Sequence, residues 1–246
     1  MTPRTRAIAG SIALAVLGGV MVVAVFGLEP FGHYPGPYGD LVARIVPDQR
    51  QATALVSAIT FDVRGFDTLG EEFILFAAVC GAAALLRARR RERGDDAPRP
   101  SRPEPSFAAR TVGGALVAPV LVLFAYVTLH GHISPGGGFQ GGVVGAGALL
   151  LAYAAGQTVR LKRGGTMAAL EVTEAVGGAA FLALAIGTLV AAGAMLQNDL
   201  PLGTAGMLLS AGTIPIGNIA VGVEVAGGVA LVLAEFLEHA LLEDPE

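Results

Sequence analysis

The chain has no tryptophan, a single cysteine and few charges, with only 15% of its 246 residues being Asp, Glu, Lys or Arg. Soluble domains carry about 25% charged residues, so the deficit points to lipid as the surrounding solvent. Cys80 lies inside an apolar segment. One cysteine excludes a disulfide framework and leaves the redox compartment unread. Catalytic signatures are missing too: there is no nucleophile–base pair, His-Glu-x-x-His helix, Rossmann fingerprint or Gly-Lys-Ser/Thr phosphate loop. Nothing supports an enzyme, and no cofactor is expected. The basic cluster is short, lies beside an apolar segment and lacks interleaved aromatics, which argues against nucleic acid as a partner. What is abundant is apolar: 53% of residues are hydrophobic and 35 are glycine, with a mean hydropathy of +0.64. Small residues on this scale suit membrane helices whose backbones approach closely.

A membrane-spanning helix takes about 20 mostly apolar residues. Six segments meet or approach that length, at 7–28, 68–86, 111–129, 139–157, 170–192 and 216–237. The expected fold is therefore an all-α integral membrane protein with six transmembrane helices and no sheet. Arg4 and Arg6 before the first apolar segment also fit a signal peptide, but the segment is long and no small-x-small cleavage site follows. It is read as an uncleaved first helix.

Positive charges gather in cytoplasmic loops. With both termini inside, only Arg44, Arg50 and Arg64 of the 16 Lys and Arg fall outside, leaving 13 inside. The chain is thus expected to be a multi-pass protein of the cell membrane with cytoplasmic N- and C-termini. Residues 87–110, rich in Arg, Pro and acidic residues, read as a disordered cytoplasmic linker. It separates a two-helix segment at 1–86 from a four-helix domain at 111–246.

The most specialised stretch is His130-Gly131-His132-Ile-Ser134-Pro135-Gly136-Gly137-Gly138-Phe139-Gln140-Gly141-Gly142, between the third and fourth apolar segments. Three consecutive glycines do not easily sustain a helix. They predict a bent or re-entrant connection, tolerated at membrane depth only where protein or water covers its backbone. Gln140 is a candidate to satisfy the freed backbone groups. This run, followed by Gly217-Asn218-Ile-Ala-Val-Gly222-Val-Glu224-Val, resembles the MnhB subunit of the Mrp-type (Mnh-type) multisubunit sodium/proton antiporters, over residues 111–240. The earlier stretch Phe61-Asp62-Val-Arg64-Gly65-Phe66-Asp67-Thr68-Leu69-Gly70-Glu71 is similar to the C-terminal end of MnhA, the large subunit of those antiporters. It is also similar to a small subunit of membrane-bound hydrogenases. The resemblance implies a fusion of an MnhA tail to MnhB. It also implies a place in a hetero-oligomeric complex that exchanges Na+ for H+ and is related to respiratory complex I. MnhB is required there without being one of the large proton-pumping subunits. A purely structural assembly subunit of a complex I-like or hydrogenase-like complex is the alternative. A self-sufficient small transporter is disfavoured by the two-plus-four layout, which is not an inverted repeat.

Charges inside spans cost about 2.5–3.5 kcal/mol at the helix centre and so raise a functional hypothesis by default. Glu224, in mid-helix beside Gly222, Gly227 and Gly228, reads either as a carboxylate on the ion or proton path or as a protonated Glu bonded to a neighbouring helix. Glu171 and Glu174, at spacing i, i+3, share one face of the fifth helix. A dipole-complementing role accounts for Glu171, while a close pair is able to share a proton. Asp67 and Glu71 open the second helix, with Asp67 or Thr68 as N-cap, Arg64 as partner of Asp62 or Asp67, and Glu72 about 100° away from Glu71. His130 and His132 admit a structural role at the membrane boundary or proton transfer. Two imidazoles with no nearby Cys, Asp or Glu do not build a metal site.

Overall fold

The computed structural model describes residues 3–28, 32–33, 36–93, 104–156 and 165–240. Its elements are α1 (Pro3–Phe26), α2 (Pro37–Arg50), α3 (Leu55–Ala58), a π-helical turn (Ile59–Val63), α4 (Gly65–Arg93), α5 (Phe107–Leu129), α6 (Gly138–Ala154), α7 (Thr166–Ala192) and α8 (Ile214–Ala240). No strand occurs among the described residues. Stretches of α1, α4, α5, α7 and α8 are long and apolar enough to cross a membrane. The fourth expected span, 139–157, is a helix of 17 residues, Gly138–Ala154, shorter than the roughly 20 that a perpendicular crossing takes.

Two compact units divide at Asp40 and Leu41. The first holds α1, whose spanning stretch is apolar all round and has none of its residues buried within the chain. A helix of that kind requires apolar surroundings on every side.

The second unit is organised around α8, 61% of whose spanning stretch is buried. Helices α4, α6 and α7 pack on it, and α5 packs on α6. One end of this unit carries the main apolar core: Val42 and Val46 of α2, Phe61, Leu69, Phe181, Ile214 and Val221 among others. The rings of Phe61 and Phe181 meet edge to face at 5.9 Å, a favoured aromatic geometry. Over this core runs the segment 193–213. Gly193 ends α7 in the left-handed conformation, Thr188 Oγ1 accepts from the Leu196 N–H at 2.7 Å, and Asn198 Oδ1 accepts from the Thr213 N–H at 2.8 Å.

Helical structure enters the stretch 87–110 from both sides. Helix α4 continues to Arg93 and α5 begins at Phe107, where Ser106 Oγ caps the Ala109 N–H. The positions 94–103 in between, with Arg99 and Arg102, lie outside the described residues, as do Arg160, Lys162 and Arg163. Helix α4 starts at Gly65, ahead of the expected cap at Asp67 or Thr68, because a π-helical turn feeds it directly. Thr68 instead donates from Oγ1 to the Thr60 carbonyl at 2.6 Å.

Candidate functional site

Helices α7 and α8 carry the same five-residue pattern, Glu174-Ala-Val-Gly177-Gly178 and Glu224-Val-Ala-Gly227-Gly228. The helices run antiparallel, and the two copies face each other. A side chain at Gly177 would strike the backbone of Glu224, and one at Gly227 would strike the backbone of Glu174. The next glycine in each copy receives the carboxyl itself: Glu224 rests over Gly178, and Glu174 over Gly228. Both carboxyls are thereby taken out of contact with lipid, Glu174 at 3% exposure and Glu224 at 1%. Each keeps one oxygen, Glu174 Oε1 and Glu224 Oε2, without a hydrogen-bond partner. Pseudo-two-fold pairing of this kind is what the glycines beside Glu224 allow. The repeat is legible in the sequence, although reasoning one helix at a time passes over it.

A third buried carboxyl joins them. Glu72 of α4 is 4% exposed and lies within hydrogen-bonding reach of Glu224. Its neighbour Glu71, a sequence candidate, is exposed. The 100° between them places Glu72 rather than Glu71 toward α8. The signal for it is the stripe Gly65, Thr68, Leu69, Glu72, Val79 and Ala83, all buried on one face of α4 at helical spacing. Between α4 and α7 a cavity of about 160 Å³ is lined by Glu72, Glu224, Gly178, Phe73, Phe76 and Phe181, among others. A larger one of about 410 Å³, also bordered by Glu72, opens toward the glycine run.

At the other end of the three helices the charges are paired. Arg87 of α4 donates from Nη2 to Glu171 of α7 and from Nε to Glu235 of α8, each at 2.5 Å. Glu235 is buried, and sequence reasoning did not single it out. Glu171 is half-exposed and engaged by Arg87, whereas Glu174 is buried against Gly228 and Val79. Asp67, likewise exposed, pairs with Arg64. Asp62 pairs instead with Arg50. Burial pushes the Asp62 carboxyl above its ordinary 3.8, and the Arg50 guanidinium pulls it back down.

The glycine run forms the bend expected of it. Ser134, Pro135 and Gly136 lead into Gly137, whose φ of 142° no side-chain-bearing residue adopts without strain. Helix α6 then starts at Gly138 and carries Phe139, Gln140, Gly141 and Gly142 in its first turns. Gln140 lies beside Gly137, but the freed N–H of Gly138 is taken by Asn218 Oδ1 of α8 at 2.8 Å. Asn218 is itself held by donation to the Ile214 carbonyl at 3.2 Å. The run is also sewn to the segment before α4. Ser57 Oγ donates to the Gly131 carbonyl at 2.5 Å, Thr53 Oγ1 to Ile133 O, and the N–H groups of Thr53 and Ala54 to the His132 carbonyl.

The two histidines part company. His130 is half-buried, stacks on Tyr126 at 4.2 Å and has Nδ1 3.0 Å from the Tyr126 carbonyl. The His132 ring is fully buried. Burial holds the His132 imidazole below its ordinary 6.5, against the backbone of Met207 and Leu208, which favours the charged form. Among the described residues no three His, Cys, Asp or Glu converge as a metal site.

Residues 108–231, half of the chain, match the family described as a domain related to the MnhB subunit of Na+/H+ antiporter. The chain is 33% identical over 125 residues to a probable K(+)/H(+) antiporter A/B subunit of Rhizobium meliloti, covering 43% of this chain but only 12% of that protein. It is 29% identical over 194 residues to the uncharacterized protein MJ1307 of Methanocaldococcus jannaschii, covering 71% of this chain and 73% of that one. Among solved structures, a chain of the membrane-bound sulfane sulfur reductase, an archaeal respiratory membrane complex, superposes with a TM-score of 0.73 at 28% identity, over 95% of this chain and 98% of that one. A chain of the Mrp complex from Dietzia sp. DQ12-45-1b shares the fold, with a TM-score of 0.67 at 21% identity over 96% of this chain and 26% of that longer one.

Proposed function

The chain belongs to the family of domains related to the MnhB subunit of Na+/H+ antiporter, and from that premise we propose that it is a membrane subunit of a multisubunit cation/proton antiporter, with Glu72, Glu224 and Glu174 on its proton path. In this reading residues 1–86 correspond to an MnhA-like tail, 87–110 to the connecting linker and 111–246 to the MnhB-like part. Both termini face the cytoplasm, and the membrane is the cell membrane. The Arg87 end then faces inward and the glycine run outward. The protein works by assembling with other subunits and moving ions rather than by catalysing a reaction.

The observation that carries the proposal is the alignment of three nearly inaccessible carboxyls across three helices, each with an oxygen that has no donor. Two facing carboxyl groups that each accept are completed by one proton between them. Glu72 and Glu224 form such a pair. Glu174, one turn of α8 further toward the Arg87 end, is close enough for its charge to act on Glu224. A proton entering from the cavity beside Glu72 thus has a sequence of acceptors toward Glu171 and Glu235. Scaffolding alone does not call for buried carboxyls, which cost several kcal/mol each when charged; apolar residues on the same glycine-lined faces would pack as well.

The test is antiport in inverted vesicles carrying the whole complex, with assembly followed on native gels. Glu224→Gln and Glu174→Gln are expected to assemble and to lose most antiport. Normal transport in both variants would leave a scaffolding role.

A further inference from the structure

The cavity of about 160 Å³ between α4 and α7 has a wall of two kinds. Most of it is hydrocarbon: the rings of Phe73, Phe76 and Phe181, with leucine, alanine and glycine between them. Its only polar side chains are those of Glu72 and Glu224. A void of roughly 150 Å³ lined by Leu, Ile and Phe stays dry and takes up one benzene, so this one has room for a single aromatic ring. Its mouth is lateral. Ala175 and Ala179, one turn apart on the spanning stretch of α7, are exposed, as is Phe73 on that of α4. A ligand therefore reaches the cavity from the hydrocarbon of the membrane rather than from water.

We infer that this cavity binds a neutral one-ring amphiphile dissolved in the membrane, a phenol in chemical class, with its ring among the three phenylalanines and its hydroxyl on the Glu72–Glu224 pair. The two carboxyls lie within hydrogen-bonding reach of each other. One proton between them completes the pair and leaves it with acceptors only. Glu72 Oε2 and Glu224 Oε2 have no donor, and their side chains are 4% and 1% exposed. A phenolic hydroxyl supplies the missing donor, whereas the methyl ether of the same ring does not. An organic ion would give up its hydration to an apolar wall, a loss that two carboxyls do not offset for a cation and aggravate for an anion. Water alone fits poorly, since each molecule takes two to four polar partners and only two side chains of the wall are polar. A mainly apolar wall with a few fixed polar groups is the ordinary make-up of a small-molecule site. The site rests on the cavity and the free oxygens, and only its effect on transport rests on the proposed proton path: a phenol seated there occupies the acceptors that a moving proton would use.

The test is fluorine NMR of para-fluorophenol and para-fluoroanisole, which share a ring and differ in the donor, with the purified complete complex. The phenol is expected to bind about ten-fold more tightly, the factor that corresponds to one hydrogen bond of about 1.4 kcal/mol. Ala175→Phe and Ala179→Phe each put a ring at the mouth and are expected to assemble and to lose most of that binding. Val172→Phe, exposed on the same face of α7 but outside the cavity, should bind like the wild type. Loss of binding in all three variants or in none, with assembly intact, would overturn the site. So would equal affinity for the two probes, or no binding to the wild-type complex, as when a partner subunit's side chain fills the cavity. In vesicles the phenol should slow antiport by the wild type more than by Ala179→Phe. Binding as described with antiport unaffected would keep the site and take the Glu72–Glu224 pair off the proton path.

Discussion

The two ends of the α4–α7–α8 bundle handle polarity in opposite ways. At the Arg87 end one guanidinium ties Glu171 and Glu235, so three helices are clamped by charge. At the glycine end no single cation among the described residues ties the three helices: Asn218 of α8 reaches Gly138 of α6, Ser57 of α3 reaches Gly131 in the glycine run, and Phe61 of the π-helical turn meets Phe181 of α7. At the clamped end charged side chains link the three helices. At the other end polar side chains reach backbone groups of neighbouring segments, and cavities remain beside them. An array of carboxyls running between a clamped end and an open one has a direction built into it.

The largest effect should come from forcing apart what both ends depend on, the α7–α8 contact. Gly177→Leu drives a side chain into the Glu224 backbone, and such overpacking costs about 3 kcal/mol or more where backbone must move. We expect loss of the assembled complex on native gels, whereas Gly187→Leu, on an open face of the same helix, should assemble normally. Breaking the clamp comes next. Arg87→Met strands the buried Glu235 and should cost about 1–3 kcal/mol, seen as a lower unfolding temperature of the complex. Adding Glu235→Met should recover part of that loss, since an apolar pair replaces an abandoned charge. Equal stability of the single and double variants would mean that the clamp is a surface contact.

The smallest effect probes the glycine end through pH. The His132 imidazole, held below 6.5 by burial, binds fewer protons folded than unfolded. Stability therefore rises with pH through that window, is fully present above 6.5 and is lost as pH falls below it. His132→Gln should flatten the dependence of the unfolding temperature on pH between about 6.5 and the lower folded value. An unchanged slope would show that His132 is accessible to protons in the folded complex.

Much of this arrangement is legible in residue types. Glu224 and Glu174 stand out because charge is scarce in apolar helices, and the glycine run stands out because three glycines cannot propagate a helix. Asn218 belongs to the same sequence pattern as Glu224, yet sequence proximity favours Gln140 as the partner of the Gly138 region. Neighbours in sequence are a poor guide when the satisfying group comes from a helix 80 residues away. Sequence alone favours Glu71 over Glu72, because the face of α4 that meets α8 depends on where that helix begins. The π-helical turn before Gly65 moves that start. Arg87 reads as a topology marker until two other helices bring Glu171 and Glu235 to it.

Composition and periodicity by themselves determined that the chain is helical and apolar, where its long segments lie and which carboxyls are out of place in them. These are properties of single segments, set by the cost of placing charge and unpaired backbone in hydrocarbon. The partners were decided only by tertiary structure: Glu72 with Glu224, Arg87 with two acids, Asn218 with Gly138. Each pairing depends on the rotation and register of one helix against another, and those are fixed by close packing at glycines such as Gly177 and Gly227, where a single methyl group would not fit.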